Sequence, residues 1–189
     1  MTFQRIWSAA IGAGSCALLV MLWSSAVGLK DGGAVVTAAP EVLYAPEDKP
    51  ADRLVALYEG ARHAIYIATY GLTYPPVVKA LVAAKKRGVD VRVITDRGKL
   101  DDHNQRAALE TLRLAGVPIK INRHDGLMHL KQVVVDDQVN TSGSMNQTSS
   151  AALYNDERLD IFHDAASTQR AKEKFLKMWA NHARYEDWR

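Results

Sequence analysis

The sequence predicts an α/β protein: a layered α/β/α sandwich on a mixed, largely parallel sheet. Three observations lead there. From residue 40 to residue 121 short apolar runs alternate with amphipathic ones, the order that builds a sheet covered by helices. Pro and Gly stand where helices should start and stop, as at Pro75, Gly88 and Gly116. After residue 126 the alternation gives way to strand patterns around Asp136-Asp137, which adds hairpin-linked strands to the sheet.

Each element has its own warrant. A short apolar run at 41–44 reads as a strand, and the pattern from about 51 to 62 as an amphipathic helix. The run "AIYIATY" at 64–70 is β-branched and aromatic, hence a strand. The spacing predicts a helix over 75–87, with Pro75 or Pro76 in its first turn and Gly88 at its end. A strand at 89–95, a helix at about 104–115 closed by Gly116, and a strand at 117–121 complete a βαβαβ series. Strands follow at about 128–135, 138–142 and 157–162, and a closing helix at about 167–184, where Phe175, Met178 and Trp179 fall on one face. Tyr185 and Trp188 read as a frayed tail.

A chain of 189 residues with 48% apolar side chains has the length and composition of one domain with its own core. The formal charge of +3 excludes a histone-like polycation, so any nucleic-acid affinity must come from a local patch. Lys85, Lys86, Arg87, Arg92, Arg97 and Lys99 are the candidates for it.

The N-terminus differs from the rest. Residues 6–29 carry no charged side chain and follow Arg5, with an apolar centre at 17–23 and small residues at 24–28. Residues 1–29 therefore read as a signal peptide or an uncleaved membrane anchor, and either leaves the rest exported, periplasmic or secreted. Residues 30–39 are small and Gly-containing, a linker, and the domain runs over 40–189. Cys16 is the only cysteine and lies in the export segment, so the domain has no thiol for a disulfide or a cysteine metal site. His103, His124, His163 and His182 show no ligand spacing; no metal or other cofactor is expected. His124 stands close before the motif described next, where it could line a groove.

The chemistry gathers in "HLKQVVVDDQVNTSGSMN", residues 129–146. Alternation in a strand puts His129 and Lys131 on one side, a base or nucleophile beside a fixed cation. Gly143 removes a side chain where a phosphate could approach the backbone, and Ser144 and Asn146 add a hydroxyl and an amide. All of this suits an anionic oxygen.

The spacing His129-x-Lys131-x4-Asp136-x6-Gly143-Ser144-x-Asn146 resembles the HxK(x)4D(x)6GSxN signature of the phospholipase D superfamily without gap or substitution. Tyr70 to Thr73, the run at 77–96 and Glu157 extend the resemblance to the branch of small, single-motif bacterial endonucleases. Two departures stand out: Gln147 where an aromatic is common, and Gly71-Leu72 for the commoner Ser-Phe. They bear on substrate preference.

The resemblance implies a phospholipase D-like fold and a metal-independent phosphodiesterase. It implies that His129 attacks phosphorus to form a phosphohistidine, that Lys131, Ser144 and Asn146 hold the phosphate oxygens, and that Glu157 orients His129. Asp136 and Gly143 are read as architectural. In-line displacement needs a second group on the leaving oxygen, and one motif supplies one histidine, so a homodimer sharing its site across a two-fold axis is expected. An exported endonuclease on DNA or RNA is the leading reading. A phospholipid or cardiolipin phosphodiesterase is the alternative, and a membrane-tethered nucleic-acid-binding component of a DNA-transfer system a further one.

Overall fold

The computed structural model describes residues 39–189. Residues 1–29, expected to be a signal peptide or membrane anchor, and with them any membrane association through residues 6–29, lie outside the described residues, as does nearly all of the expected linker.

The described chain runs β1 (Glu41–Ala45), α1 (Pro50–Gly60), β2 (Ala64–Thr69), α2 (Pro75–Lys86), β3 (Asp90–Thr95), a 3-10 turn (Arg97–Asp101), α3 (His103–Leu114) and β4 (Ile119–Asn122). It continues through β5 (Lys131–Val135), β6 (Val139–Gly143), α4 (Ser149–Leu153), β7 (Glu157–Phe162), α5 (Ala165–Ala180) and β8 (Tyr185–Asp187). The strands form one sheet in the order β1-β7-β6-β5-β2-β3-β4-β8. Alternation along β2 sends Ile65 and Ile67 to one face and Tyr66 and Ala68 to the other. On the first face Leu54, Tyr58, Leu81, Leu109 and Leu112 of α1, α2 and α3 close the larger core. On the second, Phe175 and Met178 of α5 cover Tyr66, Ala68, Ile94 and Val134.

The sheet is mixed, but "largely parallel" needs correction. Among the described strands only β2–β3 and β3–β4 pair in parallel; the other strand pairings are antiparallel. Parallel neighbours need a crossover, and α2 and α3 supply two. The closing helix is shorter than expected and ends at Ala180, and the tail after it is ordered: β8 pairs with β4, and Lys120, 3% exposed at its side chain, meets Asp187 at 2.8 Å. The basic patch is dispersed. Arg87 donates to the carbonyls of Tyr58 and Ala61, and Arg92 lies against Asp90, Tyr66 and Trp179 on the α5 face.

The pairings decide where chemistry can occur. Lys131 opens β5 opposite Thr69 at the end of β2, β3 ends beside β2, and Gly143 closes β6 opposite Leu159 near the start of β7. The ends of β2, β3 and β6 and the starts of β5 and β7 therefore share one edge, the place where open α/β sheets bind ligands.

Asp136 works at the other end of β5. It and Asp137 have φ of 51° and 60°, a left-handed pair in the tight three-residue turn that leads into β6. Its carboxylate accepts the N–H groups of Arg62, His63 and Ala64 at 2.7, 2.7 and 2.9 Å, which ties the hairpin to the loop before β2. Burial works to raise this carboxyl, but the N–H groups of Ala64, Arg62 and His63 outweigh it and hold it below the ordinary carboxylate range. A carboxyl lowered by folding stabilises the protein above its unfolded pKa and loses that contribution as pH falls through the folded value. Asp136→Ala is therefore expected to cost about 2 kcal/mol at neutral pH, with the difference from the wild type shrinking as the pH falls below about 4, the ordinary carboxylate value. Urea unfolding at both pH values checks it.

Candidate active site

The strand carrying the motif begins at Lys131, three residues later than its sequence pattern suggests. Residues 128–130 lie outside the strand and are held by individual bonds. The Met128 N–H donates to Asp96 Oδ2 at 2.6 Å with the Met128 side chain buried, and the Leu130 carbonyl accepts from the Tyr70 N–H at 3.1 Å. His129 is thereby fixed between two anchored neighbours while its own side chain is exposed.

Lys131 and His129 do come together. The Lys131 ammonium lies 3.0 Å from Nδ1 and 3.2 Å from Nε2 of the ring, and donates to the His129 carbonyl at 2.9 Å. Burial lowers the Lys131 pKa, and the negative charge of Glu157 works against that shift. The ring of Tyr70 backs both groups, 4.8 Å from the imidazole centroid and 5.4 Å from the Lys131 Nζ. Asn146 uses Oδ1 to accept from the Gly71 N–H at 3.2 Å, which leaves its Nδ2 donors without a partner among the described residues. Here the amide is poised for an anion.

Gly143 serves its neighbour strand: at φ 147°, an added Cβ would lie 2.1 Å from the Arg158 carbonyl oxygen in β7. Three expectations change. The Ser144 hydroxyl is not free to hold a phosphate, since it donates to Glu157 Oε2 and accepts from the Arg158 N–H at 3.1 Å. Glu157 makes no hydrogen bond to His129. Its carboxylate is occupied by Ser144 and by the Asn155 amide at 3.2 Å, so it reaches the pair only through its charge on Lys131. His124 turns to the Tyr185 ring, 5.6 Å away edge-on, and does not line the groove beside the motif.

That groove, of about 870 Å³, opens from Tyr70 and Asn146. Val78 and Val82 of α2 and Ala107 and Ala108 of α3 form its apolar walls, with Lys79 and Lys99 among its lining residues.

Residues 54–179 match the family described as "Cardiolipin synthase, PLD-like domain". The chain belongs to the phospholipase D-like family. Among curated relatives it is 31% identical over 121 residues to "Phospholipase D" of Rickettsia conorii, covering 64% of this chain and 58% of that one. It is 30% identical over 132 residues to "Mitochondrial cardiolipin hydrolase" of Xenopus tropicalis, covering 70% and 62%. The chain thus spans about three fifths of the length of these relatives. Among solved structures it is similar to Nuc from Salmonella typhimurium, a phospholipase D family member, with TM-score 0.73 and 28% identity over 80% of this chain and 98% of that one. NucT from Helicobacter pylori shares the fold at TM-score 0.66 and 21% identity, covering 74% and 94%.

Sequence reasoning missed the residues that hold the site. Asp96 is 1% exposed and accepts from both Gly98 N–H, at 2.8 Å, and Met128 N–H, so one carboxylate fastens the 97–101 turn to the segment bearing His129. Gln105, fully buried, accepts from Leu72 N–H at 2.7 Å and donates to Thr95 Oγ1 at 3.0 Å, binding α3 to the ends of β2 and β3. The available signal was position: a carboxylate directly after the apolar run of β3, at the ligand-binding edge. Asp96→Ala leaves two N–H groups unpaired and is expected to cost about 2–4 kcal/mol. Hydrogen exchange at Gly98 and Met128 should rise above that of amides elsewhere in the sheet.

Proposed function

We propose that the chain is a metal-independent phosphodiesterase acting through a phosphohistidine in a homodimer, and that its substrate is a nucleic acid. The observation that carries this reading is the contact of Lys131 with His129 at the sheet edge, beside the unpartnered Asn146 amide. An imidazole nitrogen of His129 attacks phosphorus, and the P–O bond to the departing alcohol breaks. Lys131 and the Asn146 Nδ2 hold the non-bridging oxygens, where negative charge is met as the bond changes occur. His129 of a second copy protonates the leaving oxygen, then takes a proton from the water that cleaves the phosphohistidine. Exposed Leu127 and Leu130 flank His129 and offer apolar surface for that second copy to cover. The charge-free segment at 6–29 supports an exported protein.

Lys79 and Lys99 beside the groove favour a polyanion. The lipid reading has its own support in the apolar groove walls and in the relatives named for phospholipase and cardiolipin hydrolase activity. One experiment separates them: the full chain is given plasmid DNA, single-stranded RNA and cardiolipin vesicles, each in excess EDTA, beside His129→Ala. Nucleic acid is expected to be cut by the wild type, with turnover reduced on the order of 10³-fold or more in the variant. Head-group release alone moves the protein to the lipid reading. Cleavage equal in the variant removes His129 from the mechanism, and an active species that sediments as a monomer removes the shared site.

A further inference from the structure

Lys99 has no place in the chemistry just described, yet its position is tightly determined. It is half-buried in the 97–101 turn, with its ammonium 4.9 Å from the centroid of the Tyr70 ring. The same ring lies 5.4 Å from the Lys131 ammonium. The two cations are therefore no farther apart than these distances combined, about 10 Å. Neither takes part in a salt bridge among the described residues. Two like charges at this separation repel one another, and an anion bound to each relieves the repulsion.

The turn that carries Lys99 is preorganised with respect to His129. Asp96 accepts from Gly98 on one side and from Met128 on the other, and the Arg97 N–H donates to Asn122 Oδ1 at 2.7 Å. Lys99 also lines the groove that starts at Tyr70 and Asn146 and passes between α2 and α3. A strand with its scissile phosphate on Lys131 would bring its neighbouring phosphate toward Lys99, with the groove open to the nucleoside beyond.

We propose that Lys99 is a specificity-determining residue that binds the phosphate next to the scissile one, so that the site selects a chain of phosphodiesters over an isolated diester. This rests on the nucleic-acid reading above. It assigns Lys99 to substrate selection and leaves the bond-breaking step to His129 and Lys131. Tyr70 holds the ammonium by its ring face, an attraction that an arginine keeps and a methionine loses.

The test compares the full-length wild type, Lys99→Met and Lys99→Arg on a single-stranded oligonucleotide and on bis(4-nitrophenyl) phosphate, which has one phosphate only. Equal thermal melts establish that the variants are folded. Lys99→Met is expected to raise KM for the oligonucleotide roughly tenfold and to weaken the dependence of log KM on log salt by about one charge's share. The loss of kcat/KM on the oligonucleotide should exceed that on the small diester by a similar factor, and Lys99→Arg should restore most of it. Equal losses on both substrates, or an unchanged oligonucleotide KM and salt slope, overturn the assignment while leaving the nuclease reading intact. A wild type that hydrolyses the small diester but does not cut the oligonucleotide overturns the nuclease reading, and the role of Lys99 with it.

Discussion

The register of β5 against β2 is the constraint on which the rest of the site depends. With Lys131 opposite Thr69, Val133 and Val135 face the larger core and Val134 faces α5. A slip of one residue would exchange these faces and send Lys131 into the opposite layer. Asp136 guards against that slip from the far end of the strand, since its carboxylate can meet Arg62, His63 and Ala64 in one register only. This gives a physical reason for a carboxylate five residues beyond the lysine in a motif concerned with phosphate. It does not touch the site; it sets the strand that presents it.

A second lock works between β6 and β7. Gly143 lets the backbones approach, Ser144 exchanges bonds with Arg158, and its hydroxyl holds the carboxylate of Glu157. Asn146 then crosses to Gly71, while the Gln147 carbonyl accepts from Thr73 and Tyr74 and so fixes the entry to α2. Half of the signature, Asp136, Gly143 and Ser144, is thus devoted to joining strands, and His129, Lys131 and the Asn146 amide remain to face a substrate.

What could be read in the sequence follows from range. The helices and strands with strong periodicity were legible, β7 to the residue, because local pattern and burial agree there. The motif was legible because its spacing is a property of the chain. The partners of Ser144 and Glu157 were not, for they depend on a strand pairing between residues 13 apart. Nor was β8, whose three residues are held by pairing with β4 and by Lys120. The basic residues misled for the same reason: proximity along the chain put Arg87 and Arg92 together, whereas a helix end and a strand carry them to different surroundings.

The two departures from the family pattern can now be placed. Gln147 points away from the groove; it is buried and accepts from the Tyr58 hydroxyl at 3.0 Å. Burial raises the Tyr58 pKa, so the hydroxyl keeps the proton it donates. An aromatic at 147 would leave that hydroxyl to find another acceptor, which makes the Gln147–Tyr58 pair a coupled core solution and not a change in substrate contact. Gly71 does line the groove, and an added Cβ there would lie 2.9 Å from Thr148 Cγ2, another lining residue. With the departure at 147 accounted for by packing, discrimination between substrates passes to the groove, to its walls on α2 and α3 and to the turn that carries Lys99. The side chains that line this groove take no part in the bonds by which Asp96 and Gln105 tie the turn and α3 to the site, so they can vary while the strand ends that hold His129 and Lys131 stay fixed.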